Sequence, residues 1–383
     1  MNQSASEGPF DTGDVIMNKY LNYCQERFHY HKTNSRITAE RYIEKEQGKT
    51  VQRFKSSHSI YLDTNYLLML RDYKLNRLED PSRIELCNLI YKVKQSKNVI
   101  FPYTHTTFQE IIKQTDTLTR SITAQVVDEL SQGIIIKPSL IRRQHEYQMF
   151  LFGLDPIDNL DLFIHASIGY ALEVYGEFSL TFPKGWSQPD TEIFKKMIFD
   201  FNRRLTLEDK ISIYTQSGPG EEALDRLSNL FVTLNNGKFQ HQNLEHNYNT
   251  ILFQELLSGI SGFLESKGIS GEPNQWLSRT LTINAMSHFQ KTPNTLHLSS
   301  DRITSALHAQ LRHERDQKYK PTDIFDFSHA ADAVPYCKAF FTDISLHKRL
   351  CSKRLQFDKI FGCYITSGNE GPRNYLVSLL GNS

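Results

Sequence analysis

Ser59-Ile60-Tyr61-Leu62-Asp63-Thr64-Asn65-Tyr66-Leu67-Leu68 reads as a buried β-strand that stops at an aspartate and passes at once into a helix. A carboxylate at the carboxyl end of a central strand sits where open α/β sheets place their ligands. Three further acids stand in comparable positions: Glu110, Asp326 and Asp343. Two of them lie more than 250 residues downstream of Asp63. One site would therefore be split in sequence and assembled in space.

The pattern around this run alternates strands with helices. Residues 59–63 form the first strand, and 81–96 carry helical periodicity through Ile84, Leu86, Cys87, Ile90 and Val93. Residues 98–101 form a second strand that Pro102 stops. Helical stretches at 107–114 and 124–130 follow, then a β-branched strand at 133–137 ended by Pro138. After position 320 the alternation returns, with a helix at 323–334, a strand at 339–342, a helix at 344–354 and a last strand at 362–366. Such alternation predicts a parallel sheet with right-handed crossovers. Between 141 and 305 strand signals fade, and helical segments alternate with polar loops at 217–220, 235–249 and 268–273. The expected fold is three-layer α/β/α with a central parallel sheet, interrupted by a mostly α-helical insertion. The expected division is 1–58 as an N-terminal helical segment, 59–140 and 306–383 as two parts of one domain, and 141–305 as the insertion.

Composition narrows the function classes. The chain has 383 residues, a net charge of +1, 39% hydrophobic and 23% charged residues. That balance argues against a strongly basic, non-specific nucleic-acid coat, but leaves room for a local basic groove. No apolar run approaches the roughly 18 residues that span a bilayer. The first residues, MNQSASEGPFDTGD, are polar and acidic, unlike a secretory signal, and residues 1–15 read as mobile. Five well-separated cysteines without a C-x-x-C argue against a disulfide framework or a structural zinc site, and fit a reducing, cytoplasmic setting.

Each acid also has a plain structural role open to it. Asp63 and Asp343 both stand where an aspartate caps a helix. Thr107-x-x-Glu110 matches a capping box. With Asp323 as N-cap, Asp326 falls on the first helical turn, where the helix dipole favours an acid by about 0.3–1 kcal/mol. Asp326, His329, Ala330, Ala333 and Cys337 share one helical face, and Asp332 sits off it. Asp326 is therefore preferred to Asp332, with Asp323 in reserve. Carboxylates gathered without a counter-ion repel one another, and a divalent cation removes that penalty. Magnesium suits oxygen ligands. Two metals roughly 3.5–4 Å apart can clamp the attacking and leaving oxygens of a phosphodiester displacement.

With these residues placed, the chain resembles the PIN-domain nucleases. The resemblance rests on Leu62-Asp63-Thr64-Asn65 after the first strand and Glu110 on the helix after the second. It rests also on Asp326-Phe-Ser-His329-Ala-Ala-Asp-Ala-Val-Pro335-Tyr-Cys337, and on Thr342-Asp343 sixteen residues after Asp326. It covers about 59–140 and 306–383. It implies a metal-dependent endonuclease, usually acting on RNA, with Mg²⁺ or Mn²⁺ and leaving a 5′-phosphate and a 3′-hydroxyl. Asp63, Glu110, Asp326 and Asp343 would be the catalytic, metal-binding quartet, with Asn65 and Thr342 as supporting polar residues. The family also suggests a toxin or defence role. The long insertion departs from the family pattern, and is where a protein partner or a second copy would bind.

Residues 344–354 hold His347, Lys348, Arg349, Lys353 and Arg354 and no acid. Following directly on Asp343, Lys348, Arg349, Lys353 and Arg354 would contact nucleic-acid phosphates; the same pattern also suits a solvated helix. Residues 16–55 are likewise basic, with Arg27, Lys32, Arg36, Arg41, Lys45, Lys49, Arg53 and Lys55, and read as a solvated helical face. Asn65 argues against a two-aspartate phosphatase. The competing readings are a DNA nuclease and a PIN-like binding or scaffold protein with little catalysis.

Overall fold

Strand β1, His58–Leu62, is buried from its second residue onward. A strand hidden on both faces belongs in the middle of a sheet with helices on either side. In this computed structural model, which describes residues 12–96, 98–170, 185–217, 243–314 and 318–381, that is its place. β1 pairs in parallel with β2, Val99–Ile100, on one side. On the other it pairs with β6, Ala339–Thr342, in the register Ile60↔Ala339, Tyr61↔Phe340, Leu62↔Phe341. β6 pairs in parallel with β7, Tyr364–Ser367. The order is β2-β1-β6-β7. Sequence neighbours on each strand point to opposite faces. Tyr61, Phe340 and Ile365 join one apolar cluster, and Ile60, Leu62, Ala339 and Phe341 join another. The sheet thus lies between two apolar layers, as a three-layer α/β arrangement requires.

The second strand ends at Ile100, just before Pro102. The chain resumes as β3, Tyr103–Thr104, which pairs in parallel with β4, Ile134–Ile136. Proline has no N–H to give a ladder, so the strand is interrupted and changes partner across 101–102. β4 then pairs antiparallel with β5, Ile168–Tyr170. This last strand arises from the segment that reads as helical. Three residues behind the helix Leu160–Ser167 are too short a run to carry an alternation.

The described part of 141–305 is otherwise helical. Asn243 caps the helix Leu244–Ser266 by accepting from Glu245 N. The polar stretch 235–249, expected as a loop, is therefore helical from 244; its residues 235–242 lie outside the described residues, as do 1–11 and 218–220 of the other expected loops and mobile ends. Leu252, Leu256 and Ile260 of this helix pack with Ala285 and Phe289 of Gly271–Lys291. Near the carboxyl end, the helix expected over 344–354 stops at Leu350, and a separate short helix, Phe357–Phe361, follows the turn. Among the described residues no helix is long and apolar enough to cross a membrane.

Candidate metal centre

β1 and β6 are neighbours and run parallel, so Asp63 and Asp343, which follow them, emerge at the same edge of the sheet. The helix Pro321–Ala333 brings Asp326 to the same place. One carboxylate oxygen from each of Asp63, Asp326 and Asp343 lies within 4.8 Å of the others. Three acids from three separate elements meet, and Glu110 is not part of that group.

The capping roles divide. Asp63 stands at the N-cap of Thr64–Lys74, yet its side chain caps nothing. It is 3% exposed, and its Oδ2 accepts from the Thr342 hydroxyl at 3.0 Å. Asp343 does cap its helix: Oδ1 accepts from Ser345 N at 2.6 Å and Leu346 N at 3.1 Å. Both bonds use one oxygen. Lys320, not Asp323, is the N-cap of the helix bearing Asp326. Asp323 reaches back from the first turn to accept from Lys320 N at 2.6 Å. Asp326 thus falls on the second turn, beyond the capping positions. Asp332 is buried and ion-paired with Arg142.

The expected capping box at Glu110 is replaced by another cap. Thr104 accepts from Thr107 N and opens the helix His105–Ile112, which frees Glu110 from the helix end. Its carboxylate accepts from the Thr64 hydroxyl and from His329 Nε2, the latter at 2.7 Å. His329 is fully buried, and its Nδ1 lies 2.6 Å from the Tyr61 hydroxyl. Burial works against a charge on His329, but the hydrogen bond and charge of Glu110, with Asp63 behind, lift it to about 9. Burial raises Glu110, and His329 and Thr64 outweigh it, holding the carboxyl below its usual range. His329 is the partner that the acid pattern alone does not reveal. Its signal was the shared helical face, three residues after Asp326.

The aspartates carry the opposite strain. Burial, then the charges of Asp63 and Asp343, push Asp326 up to about 7. Burial also raises Asp63, with Glu110 and Asp343 adding to it and His329 and Thr342 opposing. A cluster of carboxylate oxygens, one residue buried and two partly exposed, with no sulfur or imidazole among them, is the donor set of a hard divalent cation such as Mg²⁺ or Mn²⁺. Asp63, Asp326 and Asp343 fit such an ion.

A cavity of about 190 Å³ adjoins Asp326 and Asp343, lined also by Lys318, Lys320 and Arg349. Lys318 and Lys320 went unremarked in the sequence, although they stand directly ahead of the helix bearing Asp326. The expected phosphate contacts are dispersed. Arg349 lines this cavity and donates to Glu314 at 3.0 Å. Lys348 is exposed on the same helix. Lys353 and Arg354 are exposed beyond the helix end, and Arg354 lines a different cavity of about 850 Å³ with Tyr248, Arg302 and Phe357. That larger space is lined by none of the three aspartates. Thr342 supports Asp63 directly. Asn65 is exposed on the first turn of its helix, and no hydrogen bond to a described residue fixes its side chain.

No protein-family model matches this chain, and neither the curated proteins nor the solved structures compared with it give a match.

Proposed function

We propose that this chain is a PIN-like, divalent-metal-dependent endonuclease that hydrolyses phosphodiester bonds, with RNA as the first substrate to test. One observation carries the reading: Asp63, Asp326 and Asp343 converge at the carboxyl edge of a parallel sheet, close enough to share a cation. Lys318, Lys320 and Arg349 beside them supply the positive rim that an anionic phosphodiester needs.

Asp63, Asp326 and Asp343 would hold the ion, and Thr342 would keep Asp63 in its rotamer through their hydrogen bond. When bound, Mg²⁺ or Mn²⁺ acts as a Lewis acid on the phosphoryl group and offsets the charge that develops there. Asp343 is doubly anchored to its own helix, so its position is fixed before anything binds. Glu110 and His329 form a neighbouring ion pair that fixes Thr64 at the start of the helix after Asp63. Arg349 and the two lysines would orient the substrate's phosphates against the acids.

The test is cleavage of matched RNA and DNA panels with Mg²⁺ or Mn²⁺, with and without EDTA. Asp63→Asn, Asp326→Asn and Asp343→Asn are each expected to abolish cleavage, as is chelation. Cleavage that survives both chelation and these substitutions would sink the proposal. A binding protein without catalysis would instead cleave nothing under any metal. A toxin or defence role predicts slowed growth on expressing the wild type but not Asp63→Asn.

A further inference from the structure

Two N-terminal helices, Thr12–Thr33 and Ala39–Ser56, pack against Gln188–Arg204 well apart in sequence from the acids. Asp200 organises their junction. It is 3% exposed and accepts from Arg27 Nε at 2.5 Å, His31 Nε2 at 2.7 Å and the Tyr42 hydroxyl at 2.8 Å. Glu46 is likewise used internally, by Lys49 and by Arg203 at 2.7 Å. Asp200 and Glu46 are therefore spent on holding the junction together, while Glu26, Glu40 and Glu44 stand exposed among its surface cations.

A cavity of about 450 Å³ opens there, lined by Tyr23, Tyr30, Tyr42, Arg27, Arg203 and Arg204, with Lys49 against Glu46 and Asp200. Its volume falls in the range of about 300–1,000 Å³ typical of ligand clefts. The arginines lie on aromatic faces: Arg27 is 4.4 Å from the Tyr30 ring centre, and Arg204 is 6.0 Å from that of Tyr23. A second cavity, of about 770 Å³, borders the same helix and is lined by Arg36, Arg41 and Lys45 with only Glu44 opposing. Arg36, Arg41, Lys45 and Arg204 are exposed and make no ion pair with any described residue. Here unpaired cations, the exposed ring of Tyr30 and two cavities border one pair of helices, and basic residues outnumber acidic ones in the lining of each cavity.

We propose that this surface is a second nucleic-acid site, a groove for single-stranded RNA separate from the acidic centre. Arg36, Arg41, Lys45 and Arg204 take phosphates, and Tyr30, 46% exposed, offers a ring on which a base stacks. The choice of RNA over another polyanion rests on the nuclease reading; the binding surface itself does not.

The experiment uses the full chain carrying Asp63→Asn, in EDTA, so that the probe cannot be cleaved. Binding of a fluorescein-labelled oligouridine is followed by anisotropy across a salt series. Changing Arg36, Arg41, Lys45 and Arg204 together to Gln is expected to weaken binding at least tenfold. It should also flatten the dependence of log affinity on log salt by about 0.7 for each phosphate that is no longer neutralised. Tyr30→Leu is expected to weaken binding about fivefold or more with little change in that slope. A control removes four exposed cations elsewhere, Arg83, Lys267, Arg279 and Lys291, and should bind like the parent. The proposal is overturned if the quadruple groove variant binds like the parent, or if the control loses as much affinity as the groove variant. It is also overturned if polyglutamate of equal length competes as well as RNA. Groove-dependent binding by a protein that cleaves nothing would uphold the groove and end the nuclease reading. Metal-dependent cleavage with no groove effect would do the reverse.

Discussion

Thr342 is one hydroxyl from the acidic centre, buried at the end of β6 with its proton on Asp63. Replacing it by valine keeps the shape and removes the bond. Loss of a group that orients a metal ligand typically lowers metal affinity or activity by about 10–100-fold. Thr342→Val should therefore raise the Mg²⁺ concentration needed for half-maximal cleavage by that order, while urea unfolding changes little. Another residue sets a pH dependence away from the centre. His308 packs edge-on against Phe327, with ring centres 4.9 Å apart. Burial, then Arg312 and Arg143, hold it down to about 4. Its unfolded value is about 6.5, so between the two the unfolded chain binds the proton first. The stabilisation is fully present above about pH 6.5 and is lost as pH falls toward 4, by on the order of 3 kcal/mol. Urea unfolding of His308→Leu should show a shallower decline over that window than the parent. Asp63 and Asp343 were legible in the sequence because strand ends mark themselves by a hydrophobic run and a stop, and Asp326 because it shares a helical face with His329, Ala330 and Ala333. The Glu110–His329 pair was not, since a contact across 219 residues leaves no local periodicity.

The central strands were equally plain at the level of elements. β1 and β6 are apolar runs buried on both faces, which only a covered parallel sheet accommodates. β5 and the partner switch after β2 were not plain. Both depend on a few residues and on which neighbour happens to lie alongside. Within the insertion, close packing falls on Gly259, in Leu244–Ser266. A Cβ there would run into the Tyr147 hydroxyl, which donates to Asp301 at 2.9 Å. Gly259→Ala gains intrinsic helix propensity of about 1 kcal/mol, but overpacking costs about 1–3 kcal/mol. The clash involves a hydrogen-bonded, buried tyrosine that has little room to yield, so the net effect should be destabilising. Gly259→Ala together with Tyr147→Phe should recover part of the loss in thermal unfolding, and Gly262→Ala, which meets nothing within 4 Å, should be neutral or stabilising.

At the scale of the whole molecule, one buried cation ties the insertion to the helix that carries Asp326. Arg142, on Ser139–Leu151, is fully buried. It donates to Lys137 O at 2.8 Å, to the Ser300 hydroxyl at 3.1 Å and to Ala331 O at 3.2 Å, and pairs with Asp332. Asp332 in turn accepts from the Thr106 hydroxyl at 3.0 Å. Helices from the insertion, the helix of Glu110 and the helix of Asp326 thus meet at a single ion pair. Arg142→Met would leave Asp332 buried without its cation, a change that typically costs about 3–5 kcal/mol. It should also loosen the helix that positions Asp326 and His329, so that cleavage falls at temperatures well below unfolding. Arg142→Met combined with Asp332→Leu removes both charges, and stability should recover by several kcal/mol over the single Arg142→Met variant. A double-mutant cycle separates the two roles. If the ion pair only stabilises the fold, activity returns with stability in the double variant. If it sets the register of the Asp326 helix, stability returns but the metal concentration for half-maximal cleavage stays raised. The second outcome is expected, because the Thr106 bond to the helix of Glu110 is lost with Asp332. Simple additivity of the two substitutions in unfolding free energy would show that the insertion and the centre are not coupled through this pair.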